Sequence, residues 1–325
     1  MSGDLLEVQD LSVAFATRTG TVLANDGVSL TLKPGESLGI VGESGSGKSV
    51  LCRAILGLAK GKVSARRLAF DGRQIADMSA EERRRLRGSG IAMIFQSPMS
   101  SIDPVWTIGD QLVETVRLHK AISRHAARVE AVSLLDRVGI ANAARRLDDY
   151  AHQWSGGMLQ RAVIALALAG NPRLILADEP TTALDVTIQD QILALLLSLQ
   201  RERGMAMIIV SHDLGVIAET VDRVAVMYAG RIVETADVRD LFGWPRHPYT
   251  AGLFNSMVAG ASQDQVLTPI TGQPPDLHSL PPGCAFAPRC PRVGPECRIT
   301  VPRIDVTASR SAACHFPVDQ PRGQL

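Results

Sequence analysis

The sequence has no strong charge of either sign, no long apolar run and no basic leader, and each absence removes a class of protein. Its 34 lysines and arginines face 33 aspartates and glutamates, so a net charge of +1 gives no global attraction to nucleic acid or anionic lipid. No stretch approaches the ~18 uninterrupted apolar residues of a bilayer-spanning helix. The start, Met1-Ser2-Gly3-Asp4-Leu5-Leu6, lacks a charged segment followed by an apolar core, so no secretory leader is expected and a cytosolic location is. Sustained heptads are missing, as is the paired Cys-x-x-Cys spacing of zinc ribbons.

What remains reads as a folded α/β chain. Apolar residues make up 46% and charged ones 21%, and 325 residues suffice for one large or two ordinary domains. The opening segment alternates apolar with polar, as in Leu6-Glu7-Val8-Gln9 and Val28-Ser29-Leu30-Thr31-Leu32, which predicts an antiparallel sheet. Buried strands are expected at 38–41, 91–95, 174–177 and 206–210, with a hairpin of 224–228 and 231–235 about Ala229-Gly230. Residues 106–147 carry helical periodicity and suggest a helical insert, while Arg83, Arg84, Arg85 and Arg87 read as a solvated helix face. Strands alternating with helices imply a parallel sheet covered on both faces, with ligands beyond the strands' carboxyl ends. Cys52 reads as a small packed residue.

One strand end carries the strongest motif. Gly42-Glu43-Ser44-Gly45-Ser46-Gly47-Lys48-Ser49 is a complete GxxxxGK[ST] loop, followed by Val50 and a helical run. Several backbone N–H groups and a helix N-terminus aimed into one hollow suit a polyphosphate. Lys48 would reach the β and γ phosphates and the Ser49 hydroxyl would ligate Mg²⁺. Gln96, Asp178, Glu179 and His212 each follow a strand end, so residues far apart in sequence converge on one nucleotide. Asp178 can hold Mg²⁺, Glu179 could orient and activate the attacking water, His212 could contact the γ phosphate, and Gln96 could sense the phosphate or the metal. After Trp154, Ser155 with Gly156 and Gly157 opens a long apolar helix, a second anion-binding N-terminus that suggests two chains closing face to face.

Together these motifs resemble the nucleotide-binding subunit of an ATP-binding-cassette transporter. The resemblance runs from about residue 5 to 235: the loop at 42–49, Gln96, the signature 154–158, Leu174-Ile175-Leu176-Ala177-Asp178-Glu179, the stretch Ala183-Leu184-Asp185, and His212. It implies a P-loop ATPase core at 1–240, with a mixed sheet, an antiparallel β subdomain and a helical subdomain at about 97–165. It also implies a head-to-tail dimer sandwiching two ATP molecules between each phosphate loop and the opposite signature, Phe15 stacked on adenine, and Asp185 at the site. Trp154 and Met158 depart from the commonest Leu-Ser-Gly-Gly-Gln, yet Ser155 and both glycines are intact, a pattern similar to the peptide importer branch.

Beyond residue 240 periodicity fades, prolines crowd the stretch from Pro269 to Pro321, and Cys284, Cys290, Cys297 and Cys314 appear, which reads as a separate, loop-rich extension over 241–325. Pro245-Arg246-His247-Pro248-Tyr249-Thr250 and Gly283-Cys284-Ala285-Phe286-Ala287-Pro288-Arg289-Cys290-Pro291 resemble the C-terminal extension of dipeptide, oligopeptide and nickel uptake ATPases. Four thiolates there could wrap a cubane, and the resemblance implies a 4Fe–4S centre; zinc and free thiols are the other readings. The implied partners are two integral permease chains, a related second ATPase or a second copy, and indirectly an extracytoplasmic solute-binding protein, with no nucleic acid. The chain would sit on the cytoplasmic face of the inner membrane, with residues 97–104 passing motion to the permeases. Peptides are the expected solute, and nickel chelates or opine-like compounds the alternatives. A non-transport cassette ATPase is the more distant reading.

Overall fold

The alternating opening segment forms the longest strands of the computed structural model, which describes residues 3–182, 184–256, 269–305 and 308–319. Strand Leu6–Thr17 pairs antiparallel with Gly20–Leu32 on one side and with Arg67–Phe70 on the other. A strict period of two would turn Leu11 away from the face that Leu6 and Val8 occupy. A register shift between Val8 and Leu11, with Asp10 at a φ of 52°, resets the alternation. Leu6, Val8, Leu11 and Val13 are consequently all buried.

The chain divides into two compact units, one of Met1–Lys33, Ser37–Gln74 and Ser211–Leu325, the other of Pro34–Glu36 and Ile75–Val210. The first unit holds that antiparallel sheet and a second, mixed group of strands. There Ser37–Val41 runs parallel to Arg223–Tyr228, which turns back antiparallel into Arg231–Asp237. The hairpin forms where expected, because Ala229 (φ 46°) and Gly230 (φ 81°) supply the two left-handed positions its tight turn requires.

Part of the C-terminal extension joins the strands of the first unit. Ser311–Ala312 pairs antiparallel with Arg231–Asp237, opposite Thr235 and Glu234. A two-residue strand is too short to leave a periodic trace in sequence. The rest of the described extension is the helix Pro248–Asn255, short 3₁₀ turns at Ala287–Arg289 and Pro295–Arg298, and irregular chain.

In the second unit Ile91–Ile94, Leu174–Asp178 and Ala206–Val210 lie parallel in that order. Every residue of the three is buried, as strands covered on both faces must be. The helical insert appears as Ile108–His119, Arg124–Arg137 and Ala143–Arg146, the first two capped by the Thr107 and Ser123 hydroxyls. Ile108, Leu112, Val113 and Val116 make the inward stripe of the first helix. Helix Ala80–Arg85, which carries three of the clustered arginines, buries none of its residues. No helix among the described residues is long and apolar enough to cross a membrane.

Candidate active site

In the first unit the phosphate loop leaves buried strand Ser37–Val41 and enters helix Lys48–Ile55 through Gly47, whose φ of 101° a side chain rarely adopts. Gly42 is more tightly confined, since a Cβ there would collide with the Met227 carbonyl oxygen. Gly45 also has positive φ, yet nothing lies within 4 Å of where its Cβ would be, so this stretch of the cradle is open. The Gly230 amide donates to the Ser46 carbonyl at 3.0 Å, and the Asn25 side chain donates to the Gly47 carbonyl at 3.1 Å. Lys48 is 6% exposed, and its ammonium donates to the carbonyls of Gly42 (2.8 Å) and Glu43 (2.9 Å). A buried cation among backbone carbonyls and rigid glycines is a fitting receptor for phosphate oxygens. Ser49 and Val50 lie half-buried in the first turn of the helix.

Beside this loop, Glu43, Ser44, Gly45 and Ser46 line a cavity of about 380 Å³ with Val22 and with Pro274, Asp276 and His278 of the extension. Phe15 pairs with Val22 across the first hairpin, half-exposed, and is not among the residues lining that cavity. His212 is exposed and directly precedes Asp213, whose carboxylate caps helix Leu214–Thr220.

The second unit brings Gln96, Asp178 and Glu179 to the carboxyl ends of its strands. Asp178, the last residue of its strand, is fully buried. Glu179 has a φ of 49°, a costly conformation for a residue with a side chain. Its carboxylate accepts from the Gln96 amide and from the Thr182 hydroxyl, both at 2.8 Å. Thr182 was not foreseen as a site residue; lying three positions after Glu179 in the same turn, it was within reach of local reasoning. In the second unit Asp178 and Gln96 offer carboxylate and amide oxygens, and in the first Ser49 offers a hydroxyl, each a hard donor of the kind Mg²⁺ takes.

Ser155 caps helix Gly156–Leu168, its hydroxyl accepting from the Met158 amide at 3.4 Å. Gly157 permits close helix approach, since a Cβ there would lie 2.9 Å from the Ile188 side chain. Trp154, the departure from leucine, is 7% exposed and donates its indole N–H to Asp149 at 3.0 Å, so it fills a core position as leucine would. Asp185 caps helix Val186–Arg203, accepting from the Ile188 amide at 3.0 Å, and Leu184 is half-buried. Ala183, the first residue of that motif, lies outside the described residues.

Cys52 is fully buried, as expected of a packing residue. The four C-terminal cysteines, separated by up to 30 positions in sequence, all line one narrow cavity together with His247 and His315. Their thiols are free, and the Cys284 amide donates to the Cys297 carbonyl at 2.7 Å. Burial raises the thiol pKa of Cys284 and Cys290 and carries that of Cys314 up to about 11, and for each the neighbouring thiols add to the rise. Four convergent sulfurs are the right donor chemistry for an iron–sulfur cluster or zinc. Among the described residues, however, no three His, Cys, Asp or Glu side chains stand in a group that could hold a metal ion.

Residues 25–182 match the family described as ABC transporter, and residues 233–297 match the oligopeptide/dipeptide transporter C-terminal region. Over 318 residues the sequence is 46% identical to the dipeptide transport ATP-binding protein DppD of Escherichia coli strain K12, covering 97% of each chain. It is 51% identical over 290 residues to the dipeptide transport ATP-binding protein DppD of Bacillus subtilis strain 168, covering 88% of this chain and 87% of the relative. Among solved structures, the dimeric post-hydrolysis state of the ATP-binding cassette MJ0796 bound to ADP and Pi matches with a TM-score of 0.65 at 28% identity, covering 72% of this chain and 99% of that one.

Proposed function

The chain belongs to the ABC transporter ATP-binding family, and from that premise we propose that it is the ATPase powering import of short peptides. One observation carries the solute class: the C-terminal residues 233–297 match a region described for oligopeptide and dipeptide transporters. Identities of 46% and 51% to two dipeptide transport ATP-binding proteins support the same reading.

In this reading the core is residues 1–240 and the transporter-specific extension is 241–325. Lys48, with the loop amides of Gly42 to Ser49, binds the β and γ phosphates, while Val50 and Phe15 border the nucleotide. Mg²⁺, held by Ser49 and Asp178 with Gln96 beside them, would neutralise developing phosphate charge. The Glu179 carboxylate orients the attacking water and takes up its proton, and the bonds from Gln96 and Thr182 fix the direction in which it points. His212 closes on the γ phosphate. Ser155, Gly156, Gly157 and Asp185 complete the site of a partner ATPase, either a second copy or a related chain. Two permease chains would receive the motion through residues 97–104 on the cytoplasmic face of the membrane, and an external solute-binding protein would deliver the peptide.

For the extension we propose a 4Fe–4S centre on Cys284, Cys290, Cys297 and Cys314; their convergence on one cavity supports it, while their side chains would have to turn toward one another to close the donor set. Anaerobic purification should return iron, sulfide and the brown absorbance of a cluster; protein with neither iron nor absorbance would leave zinc or free thiols. The catalytic assignment is tested by Glu179→Gln in the assembled complex. ATP affinity should hold while turnover falls by about 10²-fold or more, the usual scale for a lost general base. Near-normal turnover would remove Glu179 from that role.

A further inference from the structure

The C-terminal extension grips the phosphate loop at Glu43. The Arg289 guanidinium donates to both Glu43 carboxylate oxygens, at 2.8 and 3.0 Å, a two-pronged bond across 246 positions of sequence. The Arg289 side chain is 6% exposed and that of Glu43 25%, so the pair is partly shielded from solvent. On the same residue, the Glu43 amide donates to the Tyr249 hydroxyl at 2.9 Å. The Glu43 carbonyl, in turn, is one of the acceptors of the Lys48 ammonium. Three groups of one loop residue are therefore bonded, two of them to the extension and the third to the lysine of the phosphate site.

These grips are themselves rigid. Tyr249 is fully buried, and its ring packs with Tyr228 at 4.6 Å and edge-on to Phe286 at 5.4 Å. Arg289 also donates to the Tyr228 hydroxyl at 3.3 Å, and its guanidinium lies 6.0 Å from the Phe286 ring centre. Phe286 and Arg289 belong to the short turn that begins at Cys284 and ends at Cys290, so the arginine is mounted on the thiol-bearing segment.

We propose that Arg289 and Tyr249 are positioning residues for nucleotide binding: from the extension they fix Glu43, and through it the loop that receives the phosphates. The proposal rests on the ATPase reading above. Two physical effects act together. The two bonds hold the backbone at Glu43, whose carbonyl steers Lys48. The guanidinium also neutralises a carboxylate that would otherwise stand, uncompensated, on a loop built to receive polyphosphate. An arginine is suited to this, because a lysine cannot bridge both oxygens in one plane.

The test measures ATP affinity of the purified full-length chain for the wild type, Lys48→Ala, Arg289→Ala, Arg289→Lys, Glu43→Ala and the double variant Arg289→Ala/Glu43→Ala. Arg289→Ala should weaken binding about tenfold, and Arg289→Lys should fall between it and the wild type. With Glu43 already replaced, the same arginine substitution should change affinity less than twofold, because its effect runs through that carboxylate. Should Arg289→Ala not fold, Tyr249→Phe removes only the acceptor of the Glu43 amide and should weaken binding about threefold in a chain that still unfolds cooperatively. Equal weakening by Arg289→Ala with and without Glu43, or no weakening by either Arg289→Ala or Tyr249→Phe, would overturn the proposal. A wild-type chain that binds no ATP would instead remove the ATPase reading. Lys48-dependent binding with Arg289→Ala equal to wild type removes the latch alone.

Discussion

Glu179 combines a left-handed backbone with two donors on its carboxylate, an arrangement that costs stability and fixes direction. Stored strain of this kind fits a group whose aim matters more than its contribution to the fold. His247 has the opposite character. It is 1% exposed, and its Nδ1 accepts from the Tyr249 amide at 3.0 Å, capping helix Pro248–Asn255. Burial pulls its pKa from 6.5 down to about 4. Between those values the unfolded chain binds a proton that the folded chain refuses, so stability is complete above about pH 6.5 and is lost as pH falls. At about 1.4 kcal/mol per pH unit the loss approaches roughly 3 kcal/mol by pH 4. Urea midpoints at pH 7 and pH 4.5 should fall further for wild type than for His247→Asn, which keeps a capping acceptor without the titration. Equal falls would show that His247 does not set the acid limit.

At the scale of elements, the phosphate loop separates two reasons for glycine. Gly42 faces a backbone carbonyl on the Arg223–Tyr228 strand, whereas Gly45 faces open space. Gly45→Ala should therefore cost only left-handed strain, about 1 kcal/mol, and Gly42→Ala several times that, read as a much larger drop in melting temperature. Similar drops would mean that the hairpin does not confine the loop. This loop and the buried strands were legible in sequence because their signals are local: a glycine spacing, an apolar run, a turn residue. So were the helical insert and the Ala229-Gly230 turn. The edge strand Ser311–Ala312 was not legible, since two residues have no period. Nor were Arg289 and Tyr249 legible as neighbours of Glu43, because that contact depends on how distant segments pack. Convergence of the four cysteines on one cavity was suggested by their clustering, but not the absence of a closed set of metal donors among the described residues.

For the whole molecule, the net charge is +1, and no helix among the described residues is long and apolar enough to cross a membrane. Family membership rests on relatives 46% and 51% identical over 97% and 88% of the chain, with family matches at residues 25–182 and 233–297 in agreement. The measurement that bears most directly on the account is ATP-dependent uptake of a labelled dipeptide into vesicles holding the assembled transporter, with wild-type chain or with Lys48→Ala. Uptake should require ATP and fall to background in the variant if the buried Lys48 ammonium is the cation for phosphate, as proposed. Uptake at the wild-type rate with Lys48→Ala, or a transporter that hydrolyses ATP without moving any peptide, would contradict it.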